Sequence, residues 1–308
     1  MSGCETQVAS TPAWRGTALG GVALIGWSLL ALFTDGAQGI PPLQLMSMTF
    51  GVAFFIGFAL LRRRGRSFAH LLRQPPAVWA VGIGGLFGYH FFYFLALGNA
   101  PIADANLIVF LWPLLIVMFS AVLPAQRLRW FHLLGVTLGV AGAGLLVLSK
   151  GPLALAPEFA LGYVAAIASA VIWAGYCILK RRYAAISTDM VTGYCAGVAV
   201  LAFFAHLVFE RSVDPNFSQS IYAVALGLGP IGAAFYCWDY ATKHGDVQLL
   251  RAVAYTAPLR STIFLVLAGR AEPSVPIFLA CGLIVSSSAV ASLDHLVSLR
   301  NRRRAKPD

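Results

Sequence analysis

Two stretches of the chain carry polar and aromatic residues at the spacing needed to grip a small molecule. Asn106, Phe110 and Pro113 stand at i, i+4 and i+7, so on a helix they share one face. Arg251, Tyr255 and Pro258 repeat that spacing 145 positions later, with Gln248 about one turn earlier on the same face. The chemistry on offer is recognition, not bond making. The guanidinium of Arg251 would attract a carboxylate, and the amides of Asn106 and Gln248 would hydrogen-bond a polar head group. A second reading of Arg251 stays open. It lies near the end of its apolar run, where it could snorkel to the interface or pair with Asp239 or Asp246. Pro113 and Pro258 each remove a backbone N–H in mid-run, which makes them candidate hinges beside a cavity.

Aromatic residues supply a second set of candidates. Trp27 and Trp173 lie 146 positions apart near the middle of their runs, and Tyr176 is one turn from Trp173. His90, Tyr93 and Leu97 share a face, and Tyr93 corresponds to Trp238 at an offset of 145. Faces of Trp27, Tyr93, Phe110, Trp173, Trp238 and Tyr255 would suit an aromatic ring or an ammonium group; they would equally suit helix packing or an interfacial belt. His90 and Asp239 are the candidates for proton coupling. Their bland alternatives are a satisfied buried histidine and an ion pair between Asp239 and Lys243 or Arg251. Arg260, nine positions from Arg251 and on the opposite helix face, is expected to pair structurally or to reach the outer surface. Enzyme motifs are lacking: there is no P-loop, no HExxH and no serine–histidine–acid arrangement. The five cysteines are scattered with no metal spacing, so neither a metal nor a cofactor is expected.

These residues need elements to hold them, and the composition dictates which. The 308 residues are 59% hydrophobic and 11% charged, against about 25% charged in soluble domains. A polytopic membrane protein is therefore expected. Ten segments each supply roughly the 20 apolar residues that cross a bilayer: 15–34, 41–61, 77–98, 102–123, 128–149, 159–180, 188–209, 219–242, 246–268 and 274–296. With the N-terminus inside, 17 of the 22 Lys and Arg fall on the cytoplasmic side and only Lys150, Arg211 and Arg270 outside. That asymmetry predicts two cytoplasmic termini. It also accounts for the net charge of +10 without a nucleic-acid partner.

The chain also repeats itself. ALGNAPIADANLIVFLWP, from Ala96 to Pro113, matches ATKHGDVQLLRAVAYTAP, from Ala241 to Pro258. Gln126 and Glu272 differ by 146, as do the two tryptophans. The expected organisation is a cytoplasmic segment 1–14, a five-helix repeat 15–149, an outer linker 150–158, a second repeat 159–297 and a basic tail 298–308. Five crossings are an odd number, so the second copy must be inverted. Inverted repeats enclosing a midplane site are the mark of alternating-access carriers.

The ten runs, the five-plus-five repeat and the stretch ALGNAPIADANLIVFLWPLLIVMFSAVL resemble the drug/metabolite transporter superfamily, in particular its EamA-type members. In length and first-half motif the chain is most similar to the YddG-type exporters of aromatic amino acids. The resemblance implies a bacterial inner-membrane exporter with a cavity lined by the first, third, fourth, sixth, eighth and ninth helices. Its partners would be amino-acid substrates and the lipid bilayer, and the fused repeats would let a monomer function. Drugs, nucleosides and other metabolites are rival cargoes. An intramembrane enzyme and a channel are more distant alternatives.

Overall fold

The computed structural model describes residues 13–121, 130–148, 157–183 and 185–291. The expected segments 1–14, 150–158 and 298–308 lie wholly or largely outside these, as do Gln126 and Lys150. The described residues form fourteen α-helices with no strand. They are α1 Ala13–Ser28, α2 Leu30–Gly36, α3 Pro42–Arg63, α4 Pro76–Asn99, α5 Ile102–Val109, α6 Trp112–Ala121 and α7 Trp130–Leu148. There follow α8 Pro157–Lys180, α9 Met190–Phe209, α10 Phe217–Leu228, α11 Ala234–His244, α12 Val247–Ala254, α13 Ala257–Leu267 and α14 Val275–Ala291. A π-turn, Gly229–Ala233, joins α10 to α11.

Among the described residues, six helical stretches are long and apolar enough to cross a bilayer: Trp14–Gly36, Pro42–Arg63, Pro76–Asn99, Glu158–Tyr183, Met190–Phe209 and Phe217–His244. Four shorter apolar helices, Ile102–Ile116, Trp130–Leu146, Ala257–Leu267 and Val275–Val290, lie over the remaining expected segments. The outer surface is apolar: Phe209 and Leu267 are each 79% exposed and Val208 is 73% exposed. A soluble monomer does not leave such a surface in water, so the chain is a helical, multi-spanning membrane protein.

Helix ends are set by local chemistry. Pro41–Pro42 and Pro75–Pro76 open α3 and α4, where a missing N–H costs nothing. Helices α3 and α13 close alike. Gly65 (φ +67°) and Gly269 (φ +68°) take the left-handed conformation. Arg66 and Arg270 then donate back to Leu61 and Leu265 at 3.0 and 2.8 Å, and the two glycines donate to Arg62 and Val266. Each such turn projects an arginine at an acid: Arg66, with Arg64, at Asp189, and Arg270 at Asp35 at 3.1 Å.

The core is built from helix pairs: α4 lies along α8, α1 along α11, α3 along α9 and α7 along α14. Glycine lets tyrosine enter two of these seams. The ring of Tyr176 packs on Gly85 of α4, and the Tyr236 hydroxyl sits over Gly57 of α3 while sharing a 2.8 Å hydrogen bond with Thr192. Any Cβ at either glycine would collide with those side chains.

The two candidate hinge regions are breaks. The helix carrying Asn106 stops at Val109 and resumes at Trp112; the helix carrying Gln248 and Arg251 stops at Ala254 and resumes at Ala257. The bonds across the breaks match at an offset of 145. Leu111 donates to Ile108 at 3.0 Å and Thr256 to Val253 at 3.1 Å; Leu115 donates to Leu111 at 3.1 Å and Arg260 to Thr256 at 3.0 Å. Pro113 and Pro258 sit just past these tight turns, where they cannot donate to the carbonyls of Val109 and Ala254.

Candidate functional site

The aromatic candidates meet. Trp27 of α1 stands 6.4 Å from Trp173 of α8, edge to face, and 5.2 Å from Trp238 of α11. Phe235, one turn before Trp238, lies 5.7 Å from Trp27 and 6.0 Å from Trp173. Tyr89 (4.7 Å), Tyr176 (5.3 Å) and Trp112 (6.4 Å) complete the ring around Trp173. The Trp27 indole N–H is held by the Pro230 carbonyl at 3.1 Å, an acceptor inside the π-turn. Offset and edge-on rings at these separations attract one another and any further ring placed among them. Tyr89, Trp112 and Phe235 were not singled out from the sequence; Tyr89 stands four residues from Tyr93 and Phe235 three from Trp238, so helical spacing carries the signal.

His90 borders this box as a packing residue. Its Nδ1 is 2.8 Å from the Leu86 carbonyl, and its ring is enclosed by Phe50 (4.9 Å), Tyr89 (4.7 Å), Phe94 and Phe235 (6.0 Å each). It is 1% exposed. Beside it runs a buried polar seam. The Tyr93 hydroxyl donates to Asn106 Oδ1 at 3.1 Å, and Asn106 Nδ2 donates to Ser261 Oγ at 2.9 Å. One amide thus joins α4, α5 and α13, and its donor and acceptor both have protein partners.

Phe110 and Tyr255 are half-buried at the two helix breaks. Gln248 and Arg251 lie on α12, and their side chains fall outside the described residues. Arg260 turns inward instead of reaching the outer surface. Its guanidinium donates to the Thr256 hydroxyl (2.8 Å), the Val253 carbonyl (3.3 Å) and Ser28 Oγ (3.2 Å). The break at Thr256 exposes that carbonyl, and a cation beside the last turn of α12 complements its dipole. Asp239 binds Lys180 at 3.4 Å, Lys243 at 2.5 Å and the Thr188 hydroxyl.

Rings from five helices, walled by apolar residues and joined by one neutral polar seam, can bind and release a small amphipathic molecule. They present no nucleophile or acid–base pair. Fold and site together define a multi-spanning membrane transport protein. The chain belongs to the EamA-like transporter family, whose model matches it twice, over residues 14–148 and 160–293. It is 48% identical over 278 residues to a protein of Ancylobacter novellus named aromatic amino acid exporter YddG, spanning 90% of this chain and 96% of that one. An uncharacterized transporter of Archaeoglobus fulgidus shares 28% identity over 134 residues, 43% of this chain and 46% of its own. A solved crystal structure at 47% identity superposes with a TM-score of 0.71 and covers 91% of this chain and 98% of that one.

Proposed function

We propose that this protein is a secondary transporter that exports amino acids, aromatic and other large apolar ones, across a bacterial inner membrane. The observation that carries the reading is the box centred on Trp27 and Trp173. Two repeat-matched tryptophans meet at the centre of the bundle, as substrate walls do when two copies of one unit enclose a shared site. An amino acid with a large side chain finds ring faces there, and its ammonium finds cation–π partners. The name of the Ancylobacter novellus relative supports the same cargo.

The architecture in this proposal is ten spans in two inverted five-helix repeats, 15–149 and 159–297, with both termini cytoplasmic. Three observations support it. The family model matches once per half. The helix breaks and their hydrogen bonds recur at an offset of 145. Exchanging the halves also maps the α4–α8 pair onto the α11–α1 pair, while α3–α9 and α7–α14 map onto themselves. Within the two exchanged pairs, α4 and α8 are continuous, whereas the α1–α2 stretch is interrupted at Leu29 and the α10–α11 stretch at its π-turn. One pair interrupted and its counterpart continuous is the asymmetry a carrier needs if it opens to one side at a time. Transport by a single copy of the chain belongs to the same reading.

The test is flux in proteoliposomes loaded with radiolabelled phenylalanine, threonine or a cationic drug. Saturable phenylalanine efflux, faster than that of threonine, is expected. Drug flux without phenylalanine flux would move the protein to a different cargo class.

A further inference from the structure

A charged cluster stands at the basic end of the bundle, away from the box. Lys180 at the end of α8 and Lys243 at the end of α11 reach the same carboxylate, Asp239, at 3.4 and 2.5 Å. The Thr188 hydroxyl donates to Asp239 as well, and Lys243 donates to Thr188 at 2.9 Å and to the Ile186 carbonyl at 3.3 Å. The Asp239 side chain is 10% exposed, while those of Lys180 and Lys243 are 40% and 31% exposed. The ammonium groups therefore form a rim with the carboxylate beneath. Two cations on one anion leave the cluster with a positive charge in excess.

Two helix faces join this cluster to the box. On α8, Lys180, Tyr176 and Trp173 follow one another on one face. The Lys180 ammonium lies 5.9 Å over the Tyr176 ring, and that ring lies 5.3 Å from Trp173. On α11, Lys243, Asp239 and Phe235 stand four residues apart, and Phe235 lies 6.0 Å from Trp173. Cluster and box are thus the two ends of one strip of side chains between α8 and α11.

We infer that Lys180 and Lys243 recognise the substrate carboxylate at the cytoplasmic mouth of the path, and that Asp239 is a resident competitor holding the mouth shut until that carboxylate replaces it. This deepens the export reading and rests on it. Breaking a half-buried ion pair without replacement leaves charge uncompensated. A free amino acid avoids that penalty on both sides: its carboxylate takes the lysines, and its ammonium takes the released Asp239. The two internal ion pairs on Asp239 become three with the substrate, so a zwitterion opens the mouth far more readily than a molecule lacking either charge. No covalent step is involved.

The experiment measures uptake into inside-out vesicles, which expose the cytoplasmic face. The probes are L-phenylalanine, L-phenylalaninamide (no carboxylate) and 3-phenylpropionate (no ammonium). Lys180→Gln and Lys243→Gln are expected to raise the KM for phenylalanine about tenfold, the size of one lost charge-assisted hydrogen bond, without raising that for the amide. Lys180→Arg should restore most of the loss. Asp239→Asn should tighten 3-phenylpropionate, because the competitor is gone. For a variant whose flux is abolished, tryptophan fluorescence in detergent gives the same affinities without transport. Equal shifts for phenylalanine and its amide, or no tightening in Asp239→Asn, would overturn the inference. Wild-type vesicles that move no phenylalanine would instead overturn the export reading itself.

Discussion

Trp173 touches Trp27, Tyr89, Trp112, Tyr176 and Phe235, more rings than any other described residue of the box. An aromatic pair contributes about 0.5–1.5 kcal/mol beyond its buried area, so a substrate ring placed here should feel its loss. Trp173→Ala is expected to raise the KM for phenylalanine about tenfold and that for threonine much less, with Trp173→Phe intermediate; the measurement is initial efflux rate against internal concentration. A purely packing role would lower the melting temperature and leave the KM alone. The polar seam predicts the reverse pattern. Tyr93→Phe strips Asn106 Oδ1 of its donor, and hydrogen bonds between membrane helices average about 0.6 kcal/mol with a maximum near 1.7. A melting temperature lower by a few degrees in detergent is expected, with substrate affinity little changed.

At the scale of elements, the two breaks turn on a missing donor. Alanine at position 113 or 258 would supply an N–H to the carbonyl of Val109 or Ala254 and allow the helix to run through. Pro113→Ala and Pro258→Ala should each slow phenylalanine efflux severalfold while leaving the amount of protein in the membrane unchanged, and the two effects should be of similar size because the breaks are matched. Efflux rates normalised to membrane protein check this. The helical, membrane-spanning character and the two breaks were legible in the sequence because long apolar runs and mid-run prolines report on the backbone directly. The site was less so. An aromatic residue inside an apolar run has no polarity contrast, so only helical spacing marks Tyr89 and Phe235, and nothing marks Trp112. The Lys180–Asp239 pair joins residues 59 positions apart, and spacing along one helix says nothing about which helix comes alongside. Arg260 turns inward for a similar reason: its acceptors are a carbonyl exposed by the break and a hydroxyl from α1.

For the whole molecule, the proposal stands on parity. In that proposal five crossings per repeat would place Ser67, in the connection between α3 and α4, on the same side as the basic clusters. They would place Ser218, at the start of α10, on the opposite side. A repeat of even count would put corresponding connections on one face and would leave the two tryptophans related by a parallel rather than an inverted axis. The charge distribution opposes that arrangement, since it would bring Arg62–Arg66 and Arg211 to a common side and erase the imbalance that directs insertion. Both serines are exposed, so each can report its side. In a protein freed of its five native cysteines, Ser218→Cys should react with a membrane-impermeant maleimide added to intact cells. Ser67→Cys should react only after the cells are opened. Reaction of both from the same side would remove the inverted axis, and with it the shared pocket that the Trp27–Trp173 contact is taken to line.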